Sequence, residues 1–303
     1  MSQHSKRSPK ISIWLTCALF VMAACEPPTT TMDDEQAAAV ENVDAMSREH
    51  ADDSGTPSEA ANIAPERAVV ADEKMAYAEV AEEVRYGHFV IPADMVEPYP
   101  AILVIHEWWG LNEGVRAMAD RLAGMGYIVL AVDLFGGETA ATPADARQLM
   151  LGVVENPDVA TENIKQAYNF LRETAGAPRV ASLGWCFGGG WSLNAALLFP
   201  DELNAAVIYY GQVTDNEANL RRLNVPILGI FGSEDKAIPV ASVKSFEQAL
   251  INLEKNYDIE IYPGVGHAFA NPTGTNYNAA AAGKAWEKTI AFLDRHLTVN
   301  DDE

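Results

Sequence analysis

The sequence predicts an α/β fold with a mostly parallel sheet covered by helices on both faces, and three observations predict it. Short apolar runs rich in Val, Ile and Leu alternate with amphipathic stretches from about residue 87 to residue 297. The runs are continuous rather than alternately polar, as strands buried on both faces are. Glycine-bearing turns with reactive side chains follow several runs, where open parallel sheets place their ligands. No internal repeat is present.

Residues 1–24 carry Lys6, Arg7 and Lys10, then an apolar stretch from Ile11 to Ala24. This reads as an export signal, too short for a comfortable transmembrane helix. The small residues before Cys25 resemble those of a bacterial lipoprotein signal, and the resemblance implies that Cys25 is lipidated. Cleavage by the ordinary signal peptidase and an uncleaved anchor are the alternatives. The reading implies a bacterial envelope location, periplasmic or on the outer membrane, with the membrane contacted through the anchor. Cys17 leaves with the signal and Cys25 is acylated, so Cys186 alone remains a free thiol and no disulfide is expected.

Residues 25–74 are rich in Ala, Glu, Asp, Thr, Ser and Pro and poor in large apolar residues. Such a segment buries too little surface to offset its ordering entropy and is expected to be a flexible acidic tether. The catalytic-type domain is expected over residues 75–303. Losing the signal moves the formal net charge from −22 to −25, because it holds three cations and no acid. Nucleic acid and anionic headgroups are therefore excluded as charge-driven partners.

Within the domain, Met75–Val84 reads as a short helix or first edge strand. Strands are expected at 87–91, 101–106, 127–132, 180–185, 205–210, 226–231 and 259–262. Helices are expected at 114–124, 143–152, 159–173, 189–198, 241–254 and 279–297, each from apolar spacing of the helical period.

The chemistry gathers after the strands. Cys186 lies in Gly184-Trp185-Cys186-Phe187-Gly188-Gly189 on a strand-to-helix turn, with glycine two places before and two after it. A nucleophile elbow requires that spacing, since side chains there would clash, and a helix N-terminus favours a thiolate. Asp235 follows the 226–231 strand in Gly232-Ser233-Glu234-Asp235, and His267 follows the 259–262 strand in Gly266-His267-Ala268-Phe269. Singly, Asp235 reads as a turn or cap residue and His267 as a loop histidine. Together they give the order nucleophile, acid, histidine on successive strand ends, which is a hydrolase arrangement. Cys186 would attack a carbonyl carbon, His267 would manage the protons, and Asp235 would orient the imidazole. The backbone N–H groups of Phe187 and of a residue near Trp108 would hold the oxyanion.

These motifs, with Ile105-His106-Glu107-Trp108-Trp109-Gly110-Leu111-Asn112 and Ala131-Val132-Asp133-Leu134-Phe135, resemble the dienelactone hydrolase family of α/β-hydrolases from about Arg85 to Leu297. The resemblance implies a carboxylic ester hydrolase in which Glu107 contacts the cysteine and takes its proton when substrate binds. A carboxylate at the end of a buried strand agrees, being costly unless paired or functional. A salt-bridge or capping role is the other reading. The two arginines that hold a substrate carboxylate in well-known members are replaced here by Gly137 and Asn271. An uncharged lactone or activated ester fits better, with Trp108, Trp109, Phe135, Phe187 and Tyr210 available to an apolar pocket.

His106 should point to the opposite side of its strand from Glu107 and is read as packed. His4, His50, His88 and His296 show no ligand spacing, so no metal and no cofactor are expected. The expected function is hydrolysis of lactones or activated esters through a cysteine thioester, by a monomer. The alternatives are a general carboxylesterase or thioesterase, or a silent tethered binding lipoprotein of the same fold.

Overall fold

The structure, a computed structural model, describes residue 1 and residues 31–61, 63–96 and 99–298. The export signal and Cys25 lie outside these residues, apart from Met1. No helix among the described residues is long and apolar enough to cross a membrane.

The chain opens with α1 (Thr31–Glu49) and reaches the sheet at β1 (Val69–Val80) and β2 (Glu83–Pro92). These strands form an antiparallel hairpin whose two loop residues, Ala81 and Glu82, both have positive φ, matching the strand twist. The rest alternates as the apolar pattern predicts: β3 (Ala101–Ile105), α2 (Glu113–Gly124), β4 (Ile128–Val132), α3 (Pro143–Glu155), α4 (Pro157–Asn169) and β5 (Val180–Trp185). After them come α5 (Phe187–Leu198), β6 (Ala205–Tyr209), the short α6 (Glu217–Leu220), β7 (Ile227–Gly232), α7 (Val240–Asn252), β8 (Tyr257–Tyr262) and α8 (Ala279–Leu297).

The eight strands lie in the order β1-β2-β4-β3-β5-β6-β7-β8. β1 and β2 are antiparallel to their neighbours, and β4 through β8 run parallel. Every residue of β3 to β7 is buried, the reason their sequence is uninterrupted by polar residues except Ser182. Ser182 is accommodated by a hydrogen bond to Ser192 Oγ at 2.8 Å. β8, at the edge, is half-buried throughout. The order turns around at β3, so the carboxyl ends of β3 and β5 flank the crevice where an open α/β sheet binds ligands.

In the structure, residues 31–61, expected to be part of a tether, include a helix packed on the domain, and the sheet starts at Val69 of β1, ahead of the expected residue 75. Val43, Met46 and His50 fall at i, i+3 and i+7, on one face of α1 and its continuation, and all three are buried. Only two of the three are apolar, so composition gives the stripe little weight. Beyond α1 the segment is tied by hydrogen bonds more than by apolar burial. The N–H of Gly55 donates to the Ala141 carbonyl at 3.2 Å, that of Ser58 to Thr273 Oγ1 at 3.1 Å, and that of Thr275 to Asp53 Oδ1 at 2.8 Å. Average hydropathy registers none of these bonds.

Candidate active site

Cys186 occupies the turn between β5 and α5 with φ 57° and ψ −119°, a left-handed conformation that a non-glycine residue holds only at a cost of about 1–3 kcal/mol. Its own N–H is anchored to the Tyr209 carbonyl at 2.9 Å. The flanking glycines are obligatory: a Cβ on Gly184 would lie 2.1 Å from the Gly188 carbonyl oxygen, and one on Gly188 would lie 2.2 Å from that of Ile105. The elbow therefore needs both glycines, as the spacing predicts. Phe187 is the first residue of α5, so its N–H has no intrahelical acceptor and is available to an oxyanion.

Asp235 and His267 come together from the ends of β7 and β8. Asp235 Oδ1 accepts from the N–H of Ile238 at 2.7 Å, which fixes the carboxylate, and Oδ2 lies 2.8 Å from His267 Nδ1. With Nδ1–H donating to that carboxylate, Nε2 is left for the thiol. Both residues are buried. Burial opposes a charged His267, but Asp235 and the thiolate outweigh it and hold its pKa well above the ordinary value. Burial likewise pushes the Cys186 thiol up. The charge and hydrogen bonds of His267, joined by those of His50, bring it down instead to about 6.

Glu107 is buried, and its Oε2 accepts from Asn271 Nδ2 at 2.7 Å. Burial first, and the nearby Cys186 charge second, raise its pKa to about 7, which suits a group that gains and loses a proton near neutrality. Asn271, read in the sequence only as a missing arginine, thus orients Glu107. Gly137 has φ 95° and open space where a side chain would stand, and its N–H donates to the Asp133 carboxylate. His106 is packed as expected: Nδ1 lies 2.6 Å from the Glu107 carbonyl and Nε2 accepts from the N–H of Leu134 at 3.0 Å. One neutral tautomer satisfies both contacts.

The sequence reading missed three residues, all from the N-terminal segment. Met46 Sδ lies 3.6 Å from Cys186 Sγ and covers it, leaving the cysteine 1% exposed. His50 stacks on the Trp108 ring at 4.7 Å and meets the His267 ring edge-on at 5.3 Å. Asp53 Oδ2 lies 2.7 Å from His50 Nδ1. Ring nitrogens of His50 and His267 and the Cys186 sulfur lie within 4.8 Å of one another, spacing that a soft metal ion could also use. The local clue in the sequence is the pair His50-x-x-Asp53 at the end of an i, i+3, i+7 stripe.

A cleft of about 990 Å³ reaches Cys186 between α1, α3, α4 and α5. Phe187, Trp191 and Gln212 line it from the sheet side, and Ala39, Asn42 and Val43 from α1. Its charged lining residues, Glu155, Asp158, Asp215 and Arg222, sum to a negative surface.

A parallel sheet with a cysteine elbow, then acid and histidine on the last two strands, defines an α/β-hydrolase. The dienelactone hydrolase family model matches residues 87–297, and the chain belongs to that family. Among its relatives, Protein usf of Aquifex pyrophilus is 32% identical over 66% of this chain and 89% of its own length. An Escherichia coli K12 protein with the provisional name carboxymethylenebutenolidase is 32% identical over 66% of this chain and 78% of its own. A solved structure described as a dienelactone hydrolase-like promiscuous phosphotriesterase, P91, from metagenomic libraries superposes with a TM-score of 0.69 at 21% identity. It covers 76% of this chain and 100% of its own and speaks for the fold alone.

Proposed function

We propose that this protein hydrolyses uncharged lactones or activated carboxylic esters through a thioester on Cys186. Family membership supports the coarser statement, that it is a carboxylic ester hydrolase. The observation that carries the finer one is the buried Cys186, His267 and Asp235 arrangement on the elbow and the ends of β7 and β8.

The thiolate adds to the carbonyl carbon, and the oxyanion is received by the Phe187 N–H and the N–H of Trp108. Collapse of the tetrahedral intermediate expels the alkoxide, which takes the proton from His267 Nε2. His267, neutral again, draws a proton from the attacking water, and the thioester is released as acid and thiolate. Asp235 keeps the imidazole in the tautomer and orientation both halves need. Glu107, near neutrality in its affinity for a proton, accepts the thiol proton when substrate enters.

The negative lining of the cleft and the presence of Gly137 and Asn271 where arginines would hold a carboxylate favour an uncharged substrate. We place the enzyme in the bacterial envelope, anchored through a lipidated Cys25, on the strength of its N-terminal sequence. The test is turnover of a nitrophenyl ester and an enol lactone by wild type and Cys186→Ala. Activity on either substrate that disappears with the thiol supports the reading. Activity that survives in Cys186→Ala removes the thioester, and inactivity of the wild type on both brings the silent binding protein forward.

A further inference from the structure

Two histidine-aspartate pairs converge on one sulfur. The first is His267 with Asp235, already assigned; the second is His50 with Asp53, contributed by a segment that precedes the hydrolase domain. They match in construction: Nδ1 of each ring lies on a carboxylate, at 2.8 Å and 2.7 Å, and each Nε2 is buried with no other partner among the described residues. A ring nitrogen of each lies within 4.8 Å of Cys186 Sγ. A buried polar atom left without a partner is costly, so two such atoms aimed at one thiol mark a function and not a packing solution.

We infer that His50, held by Asp53, is a second catalytic imidazole, which in its charged form donates Nε2–H to the Cys186 sulfur and stabilises the attacking thiolate alongside His267. The thiol proton goes to Glu107, and the protons on His267 and His50 come from solvent. Asp53 is itself well prepared. Burial opposes its charge, but His50 and Thr275 outweigh burial and bring its pKa down to about 2, so it is a carboxylate at any working pH. Stacking on Trp108 sets the plane of the His50 ring. The titratable groups facing the sulfur and these imidazoles are Glu107, Tyr210, Asp53 and Asp235, and burial keeps the Tyr210 phenol neutral.

The inference rests on Cys186 being the nucleophile, and the experiment separates the two. On the full chain, the rate of Cys186 alkylation by iodoacetamide is followed against pH, with kcat/KM for the best ester, in wild type, His50→Ala, His50→Gln and Asp53→Asn. The wild-type thiol should react as a thiolate from about pH 6 upward. His50→Ala should move that midpoint up by about one unit, toward the ~8.5 of a free thiol, and lower kcat/KM by about 10- to 100-fold. Asp53→Asn should move both less, in the same direction. His50→Gln, which keeps an amide N–H donor and fills the site, should fall between wild type and alanine.

A midpoint unmoved in both His50 variants overturns the inference, even with weaker substrate binding, since that pattern is packing alone. Stoichiometric metal in the purified protein that vanishes in His50→Ala also overturns it, because His50 would then be a ligand. A Cys186→Ala enzyme that still turns over sinks the thioester reading instead, whatever His50 does.

Discussion

The two histidine-aspartate pairs on Cys186 have nearly the same internal geometry and very different foundations. Asp235 and His267 stand on loops leaving β7 and β8, two strands paired in parallel across six register positions from Ile227–Tyr257 to Gly232–Tyr262. Their separation is set by the sheet, which cannot change without unfolding. Asp53 and His50 stand three residues apart at the end of α1 and owe their placement to the docking of a segment outside the sheet. That docking uses the apolar contacts of Val43 and Met46, the stack on Trp108 and hydrogen bonds to the 272–275 loop. Identical local chemistry can therefore be permanent on one side of a nucleophile and conditional on the other.

Breaking the permanent side should have the larger effect. Asp235→Asn leaves His267 in place but removes the acceptor that fixes its tautomer, and kcat should fall by about 10³- to 10⁴-fold, as read from single-turnover kinetics. A loss near that of Asp53→Asn, on the order of tenfold or less, would mean that the two pairs are interchangeable. Deleting residues 1–61 comes next. Because β1 starts at Val69, the hydrolase domain should remain folded by circular dichroism, while kcat/KM falls about 10- to 100-fold with the loss of His50. At pH 9, where the thiolate is formed in both proteins, iodoacetamide should react faster with the truncated one, since Met46 no longer covers the sulfur. Slower alkylation at pH 9 would contradict the assigned cover.

Glu107 sharpens the comparison from a third direction. Glu107 lies beside Cys186 and is itself held by Asn271, and with a pKa of about 7 it is largely protonated at the thiol midpoint of about 6. Glu107→Gln then exchanges one neutral group for another there, so the variant's alkylation midpoint should stay near the wild-type value of about 6, unlike that of His50→Ala. If Glu107 serves as the proton acceptor on substrate binding, kcat/KM should nonetheless fall, by about 10- to 100-fold. Unchanged kcat/KM would leave Glu107 a neighbour of the thiol with no part in its proton transfer.

The sequence made the permanent side legible and left the conditional side almost blank, for a physical reason. Cys186, Asp235 and His267 are separated along the chain, but each follows a fully apolar strand and sits beside glycine, and parallel strands bring their ends together. Knowing that the strands exist is enough to place the residues. His50 reaches Cys186 because a weakly apolar helix docks, and the large apolar residues it buries among the described ones, Val43 and Met46, are diluted by Ala, Glu, Asp and Asn. The same composition suggested a tether. Asn271 illustrates a second limit: its identity was visible as the lack of an arginine, whereas its hydrogen bond to Glu107 depends on the path of the loop after His267.

The smallest expected effect tests what holds the conditional side in place. Among the described side chains α1 carries an ion pair to the domain, Asp44 with Arg147 of α3 at 2.7 Å, and both are more than a third exposed. Solvent screens such a pair, so Arg147→Ala should weaken docking by at most about 1 kcal/mol, and less in high salt. Val43 is fully buried, and Val43→Ala should cost about 1–3 kcal/mol through lost transfer energy and the space left behind. Hydrogen exchange along α1 measures both, because its amides exchange through the undocked state. Protection should fall several-fold further in Val43→Ala than in Arg147→Ala, and only the arginine variant should lose its difference from wild type in high salt. Equal losses would place the docking energy in charge instead of apolar contact, and cover and second imidazole would then leave Cys186 together as ionic strength rises.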